Sequence, residues 1–302
     1  MRRIFKDSEH EHLFRRDGYL VLNAFDPAAI KRIEKFYLTN SDQEFTGFHN
    51  SLNIYSPEQK ATIHKFLAGI FDEYLSKYFD NYKALIATFS VKNPGPNGLI
   101  KPHRDWQLCD QESSAAQLWV PLCDTNADNG GLGVFKGSHK LKSTLHGTNL
   151  RSIFPISAAY YKYLTFFRIK VGEVLIISTK TIHASGNNTA GGQRAVASMG
   201  IIPAEAKPIH YVGDRQNPST VVELEVDEEF FHHYYISESA AVSPSDNHIV
   251  NSAAYRRREF EWAPVTIEDR DILGLYEPGI MTAFRQIKDR VTVKLPSRLT
   301  PS

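Results

Sequence analysis

The chain has 302 residues, 42% hydrophobic and 23% charged, with a formal net charge of +1 at pH 7. That is enough material for a large core, and it gives no field that would favour nucleic acid or an anionic membrane surface. Only Cys109 and Cys123 occur, without C-x-x-C spacing, which excludes a disulfide framework and a zinc-thiolate site. Residues 1–20 lack an uninterrupted apolar run, and nowhere do about 18 apolar residues follow one another, so the expectation is a cytoplasmic protein with no membrane partner.

In chain order, residues 14–25 (FRRDGYLVLNAF) predict a turn at Asp17-Gly18 followed by a short apolar strand. Asp26-Pro27 opens a helix: Asp suits the N-cap, Pro the first helical position, and Ile30, Ile33, Phe36 and Tyr37 form one apolar stripe. Ser56 and Gln59 stand at capping-box spacing ahead of a long helix, in which Ile63, Phe66, Leu67, Ile70, Phe71, Tyr74, Leu75 and Tyr78 recur at helical steps.

After Asn81 the period changes. Segments 84–92, 115–122, 132–135, 165–169, 173–179, 194–202 and 208–212 are short, β-branched or aromatic, and separated by Gly, Asn, Asp and Pro. Short strands behind a helical region predict a mainly β fold, a jelly roll or barrel with the N-terminal helices packed outside. The expected organisation is one domain over 1–302: a helical region to about 82, a β core over 83–213 and a C-terminal region, 214–302, with no assigned structure. Within the last, DEEFFHHYY (227–235) reads as a helical turn and Arg256-Arg257-Arg258 as a solvated charge run.

The chemistry concentrates at His103-Arg104-Asp105-Trp106. Side chains two apart in an extended segment lie on one side, so His103 and Asp105 can address one centre. His183, at the end of an apolar strand, is the best second imidazole, and Arg194 follows it by eleven positions. Two His and one carboxylate, with open positions, are the ligand set of non-haem Fe(II) oxygenases. By spacing alone, a surface His103–Asp105 pair and a core His183 explain the same residues.

The ordered set of motifs is more specific than any one of them. Phe14 to Leu22 (F-x-x-D-G-Y-L-V-L) comes first, then His103-x-Asp105-Trp106. Trp119-Val120-Pro121-Leu122 follows, running through Asp124-Thr125 and Asn129-Gly130 to Gly137-Ser138-His139, and last Gly172 through His183, Gly186 and Asn188 to Arg194. In these segments the chain resembles the phytanoyl-CoA dioxygenase family of Fe(II)/2-oxoglutarate-dependent oxygenases, which includes ectoine hydroxylases. No family pattern is visible beyond about residue 213. The resemblance implies a double-stranded β-helix (a cupin-like jelly roll) with His103, Asp105 and His183 as iron ligands and Arg194 on the distal carboxylate of 2-oxoglutarate. A guanidinium fork matches a carboxylate bidentately, which agrees with that assignment.

Ser185 is a candidate hydroxyl partner for the same carboxylate, and Gln117 and Trp119, alternating on one strand face, are candidate walls of the cosubstrate cavity, with core filling as the alternative. Trp106 is a candidate wall of the iron pocket, again against simple packing. His139 belongs to a turn element in the family, so its expected role is structural; Lys136 stands where the family usually has Pro, and leaves room for a contact to an anionic group. Residues 150–167 are dense in aromatics, among them Phe154 and Tyr161; core packing is the ordinary reading of such a cluster, and an aromatic lid suited to an apolar or amphipathic small molecule is the alternative.

The reaction implied by the resemblance is hydroxylation of an unactivated C–H of a small organic molecule, with Fe(II), 2-oxoglutarate and O₂ as cofactors and succinate and CO₂ released. An oxidative halogenase is the rival within enzymes, and Asp105 argues against it because halogenases replace that carboxylate. A non-catalytic cupin-like metal- or ligand-binding module is the rival of another class; Arg194 disfavours it, since pure binding needs no 2-oxo-acid cation. The sequence does not specify the oligomeric state.

Overall fold

Capping chemistry sets the helices. Asp7 accepts the N–H groups of Glu9 and His10 to start α1 (Ser8–Asp17). The helix stops at Gly18, whose left-handed conformation (φ +81°) lets its N–H reach Phe14 O at 2.7 Å. The Asp17-Gly18 turn is therefore the C-cap of a helix that apolar spacing did not announce. β1 (Tyr19–Asn23) follows, and Asp26 caps α2 (Pro27–Asn40) through Ala29 N–H. β2 (Phe48–Asn50) and the single turn α3 (Ser51–Ile54) lead to α4 (Pro57–Leu75), which opens on the expected capping box of Ser56 and Gln59.

The computed structural model describes residues 2–41, 45–110, 113–141, 145–150, 163–213, 217, 219–233 and 256–259. All its described elements belong to one compact unit, Met1–Val265. The remaining strands are β3 (Tyr82–Lys92), β4 (Ile100–His103), β5 (Ala116–Pro121), β6 (Leu132–Val134), β7 (Thr165–Phe166), β8 (Glu173–Ser178), β9 (His183–Ser185) and β10 (Arg194–Pro203). β11 (Ile209–Gly213), β12 (Thr220–Glu225), the helical turn α5 (Phe230–His233) and β13 (Arg256–Glu259) follow.

Two antiparallel sheets form a double-stranded β-helix: six strands in the order β1-β8-β5-β10-β3-β2, and four in the order β4-β9-β6-β7. A third sheet orders β11-β12-β13. The backbone of the arginine run 256–258 is a strand paired with β12.

Alternation along the large sheet divides the core. Leu118, Val120, Phe89, Val91, Ala197 and Met199 point outward and share one cluster with Phe71, Leu67 and Ile33 of the helices. Trp119, Ile177, Leu175 and Val196 point inward and meet Leu132 and Val134 of the smaller sheet. Among the described residues no helix is long and apolar enough to cross a membrane.

Candidate metal and cosubstrate site

β4 and β9 place His103 and His183 directly opposite each other in the small sheet, the one ending its strand and the other beginning its own. Their rings stand 4.3 Å apart by centroid. Asp105, two residues past β4, brings Oδ1 to 3.5 Å from His183 Nε2. The donor atoms of His103, Asp105 and His183 all lie within 4.8 Å of one another, and no other such group of His, Cys, Asp or Glu is found among the described residues.

Backbone carbonyls orient both rings. His103 Nδ1 meets Lys101 O at 2.8 Å and His183 Nδ1 meets Thr181 O at 3.0 Å. A carbonyl only accepts, so Nδ1 carries the hydrogen in each ring and Nε2 keeps a free lone pair for a metal. Asp105 Oδ2 is buried and has no hydrogen-bond partner. An orphaned carboxylate oxygen beside two inward lone pairs is what a divalent cation satisfies, so the residues fit the metal. The electrostatics agree. Burial, then the neighbouring His183, pull His103 down to about 4. Burial opposes charge on His183 and on Asp105, but their mutual attraction outweighs it, raising the histidine and lowering the carboxyl.

The Gly137-Ser138-His139 turn holds both ligand segments. Ser138 O accepts from Arg104 Nη2 at 2.9 Å, between His103 and Asp105, while Ser138 Oγ accepts from Ile182 N–H at 2.8 Å, next to His183. His139 is structural as expected, with Nε2 2.9 Å from Arg15 O. Lys136 finds its anion in Asp17, at 3.1 Å.

The other end of the site is cationic. Arg194 is 2% exposed, its Nε lacks a partner, and its Cζ lies 5.5 Å from the centroid of the Trp119 ring. Burial brings it down to about 10. Across the strand pair stands Lys92, wholly buried, its Nζ donating to Ser185 Oγ at 2.6 Å and Gly186 O at 2.5 Å. Burial first and Arg194 second pull it down to about 7.

A cavity of about 360 Å³ joins the two ends. It is lined by His103, Asp105, His183, Arg194, Ser185, Gln117, Trp119 and Trp106, so every one of these sequence candidates is brought together. Phe154 and Tyr161 lie outside the described residues. Lys92 and Arg104 were missed: Lys92 closes an apolar strand and Arg104 stands between two ligands, but the partners that give each its meaning are not local in sequence. Also missed was the hydroxyl ladder on the cavity floor, where Asn50 Nδ2 donates to Thr88 Oγ1 at 3.2 Å and Ser90 Oγ at 2.9 Å, and Thr88 meets Ser198 at 2.9 Å.

A jelly roll carrying two imidazoles and a carboxylate on one face of a cavity, with a buried guanidinium at its far end, defines the class of non-haem metal oxygenase folds. The chain belongs to the phytanoyl-CoA dioxygenase family, whose model, Phytanoyl-CoA dioxygenase (PhyH), matches residues 14–196, and is thus an enzyme of the Fe/2-oxoglutarate oxygenase superfamily. No curated relative matches the chain. Among solved structures it is similar to the non-heme alpha ketoglutarate dependent carbocyclase SnoK from nogalamycin biosynthesis, at 16% identity over 67% of this chain and 86% of that one, with a TM-score of 0.51. HygX from Streptomyces hygroscopicus, crystallised with nickel, 2-oxoglutarate and hygromycin B, matches at 16% identity over 66% and 88%, TM-score 0.46. EctD from S. alaskensis, with 2-oxoglutarate and 5-hydroxyectoine, matches at 19% over 67% and 78%, TM-score 0.47.

Proposed function

We propose that the protein is an Fe(II)- and 2-oxoglutarate-dependent hydroxylase of a small organic molecule. The observation that carries the reading is the single cavity that joins an unsatisfied two-His, one-carboxylate face to an unpaired buried guanidinium. His103, Asp105 and His183 would hold the iron, and Arg194 with Ser185 would take the distal carboxylate of 2-oxoglutarate. When bound, the iron supplies the O₂ chemistry that splits the cosubstrate into succinate and CO₂ and leaves one oxygen atom for the substrate C–H.

The chain's own work is to position. The carbonyls of Lys101 and Thr181 fix the imidazoles, and Trp119 backs the guanidinium. Leu52, Ile86, Leu108, Trp106 and Phe231 form an apolar wall on the remaining side of the cavity, which suits an apolar or amphipathic substrate. Asp105 in the ligand set favours hydroxylation over halogenation.

Anaerobic titration with Fe(II) and 2-oxoglutarate tests the reading. The wild-type protein is expected to develop a weak visible charge-transfer band and, in air with a substrate, to release succinate. His183→Ala should lose both. Full succinate release by His183→Ala would sink the assignment, and absence of the band in the wild-type protein would favour a binding module.

A further inference from the structure

Lys92, the last residue of β3, is the direct cross-strand partner of Arg194. Like charges directly opposite on antiparallel strands repel, and here both are buried, at 0% and 2% exposure. Neither has a carboxylate within ion-pairing distance among the described residues. A buried cation without a counter-ion is costly, and Lys92 meets that cost by giving up its proton more readily; an anionic guest beside the pair would hold both charges.

Ser185 shows where the charge of that guest would sit. An anionic guest favours the charged form of Lys92, and an ammonium has three donors and no lone pair, so in the 2.6 Å contact it then donates and Ser185 Oγ accepts. The hydroxyl hydrogen of Ser185 is therefore free to donate elsewhere, and the side chain forms no other hydrogen bond among the described residues. Ser185 and Arg194 line the same cavity.

The surroundings are shaped to this lysine. Gly130, at φ +73°, borders its stem: a Cβ there would stand 2.7 Å from Lys92 Cδ and 2.9 Å from Gly186 O. Asn188 Nδ2 holds the Lys92 carbonyl at 3.0 Å, fixing the strand end from which the side chain departs.

We propose that Lys92 is a positioning residue for the distal carboxylate of a 2-oxo diacid, holding Ser185 so that its hydroxyl hydrogen turns into the cavity beside Arg194. The inference rests on the oxygenase reading above and adds a selectivity device to it. A lysine that merely braced the two sheets would leave the choice between 2-oxo acids untouched.

The test compares wild type with Lys92→Met, which keeps the stem and removes the charge. Each is loaded anaerobically with Fe(II) and titrated with 2-oxoglutarate and with 2-oxopentanoate, which has a methyl where 2-oxoglutarate has its distal carboxylate. Binding is read from the charge-transfer band and from tryptophan fluorescence. Lys92→Met is expected to lose about 10- to 100-fold in affinity for 2-oxoglutarate, with binding of Fe(II) and 2-oxopentanoate unchanged. A variant that keeps the wild-type ratio of the two affinities, whether both stay or both fall, overturns the proposal.

Ser185→Ala and the double variant complete a cycle: the two losses are expected not to add, and full additivity overturns action through Ser185. Should the methionine variant fail to fold, Lys92→Gln carries the same comparison. A wild-type protein that binds neither 2-oxo acid overturns the functional reading itself and the inference with it.

Discussion

The two faces of the six-stranded sheet are made from the same strands and do opposite things. On β3, Ala87, Phe89 and Val91 point out to the helices, while Thr88, Ser90 and Lys92 between them point in. On β10, Ala195, Ala197 and Met199 point out, and Arg194 and Ser198 line the cavity. The outer face is held by area removed from water, which tolerates exchange of one apolar side chain for another of similar volume. The inner face holds polar groups in two states. Its hydroxyls satisfy one another through Asn50, Thr88 and Ser198, whereas its cations lack counter-ions. Period-two alternation thus lets one strand contribute stability on one side and a site on the other.

Two substitutions would break that division if it is wrong. Arg194→Leu removes a buried cation with no internal partner, so 2-oxoglutarate affinity is expected to fall about 100- to 1,000-fold, or about 3–4 kcal/mol. The melting temperature should stay level or rise, because no protein carboxylate loses its partner. Calorimetry and thermal unfolding read the two quantities separately; loss of stability with affinity retained would make Arg194 an ordinary core residue. Leu118→Ala is the mirror experiment. Leu118 is fully buried among the helices, and its truncation should destabilise by about 3 kcal/mol in denaturant unfolding. The folded variant should bind 2-oxoglutarate within about twofold of wild type.

The outer face was the legible one. Capping boxes and apolar stripes are local, so Ser56-x-x-Gln59 and the α4 stripe could be read from spacing alone, as could the long strands β3, β8 and β10. α1 escaped because only Phe14 of its apolar residues is fully buried, and its start and stop are carried by Asp7 and Gly18 instead. β2, β4 and β9 are three or four residues long, too short for a period to declare itself. Of the site, His103, Asp105, His183 and Arg194 were visible as an ordered motif. Lys92 was not, because its meaning depends on a non-local neighbour: it becomes informative only when β3 pairs with β10 and sets it opposite Arg194. The double role of Ser138 is likewise a matter of tertiary contact, with Arg104 on one side and Ile182 on the other.

The apolar wall of the cavity offers a smaller and sharper version of the comparison, since one polar ring packs behind it, against Trp106. His210 on β11 is fully buried, with Nε2 3.0 Å from Thr148 Oγ1 and its ring 4.8 Å from Trp106 and 5.2 Å from Phe230. None of these neighbours is charged, and burial pushes the imidazole down to about 3. The unfolded chain takes up this proton near the ordinary value of about 6.5, whereas the folded protein refuses it until about 3, so the unfolded state binds more protons in between. Stability from this residue is complete above about pH 6.5 and is lost as pH falls, by about 1.4 kcal/mol for each pH unit. His64 and His232 are also lowered by burial and add to the same slope. The quantity to read is therefore the difference between wild type and His210→Asn in denaturant unfolding between about pH 6.5 and 4.5, where the variant's slope should be shallower by one proton. Equal slopes would mean that His210 takes up its proton in the folded state as readily as in the unfolded chain, and that the wall beside Trp106 is wetter than its packing indicates.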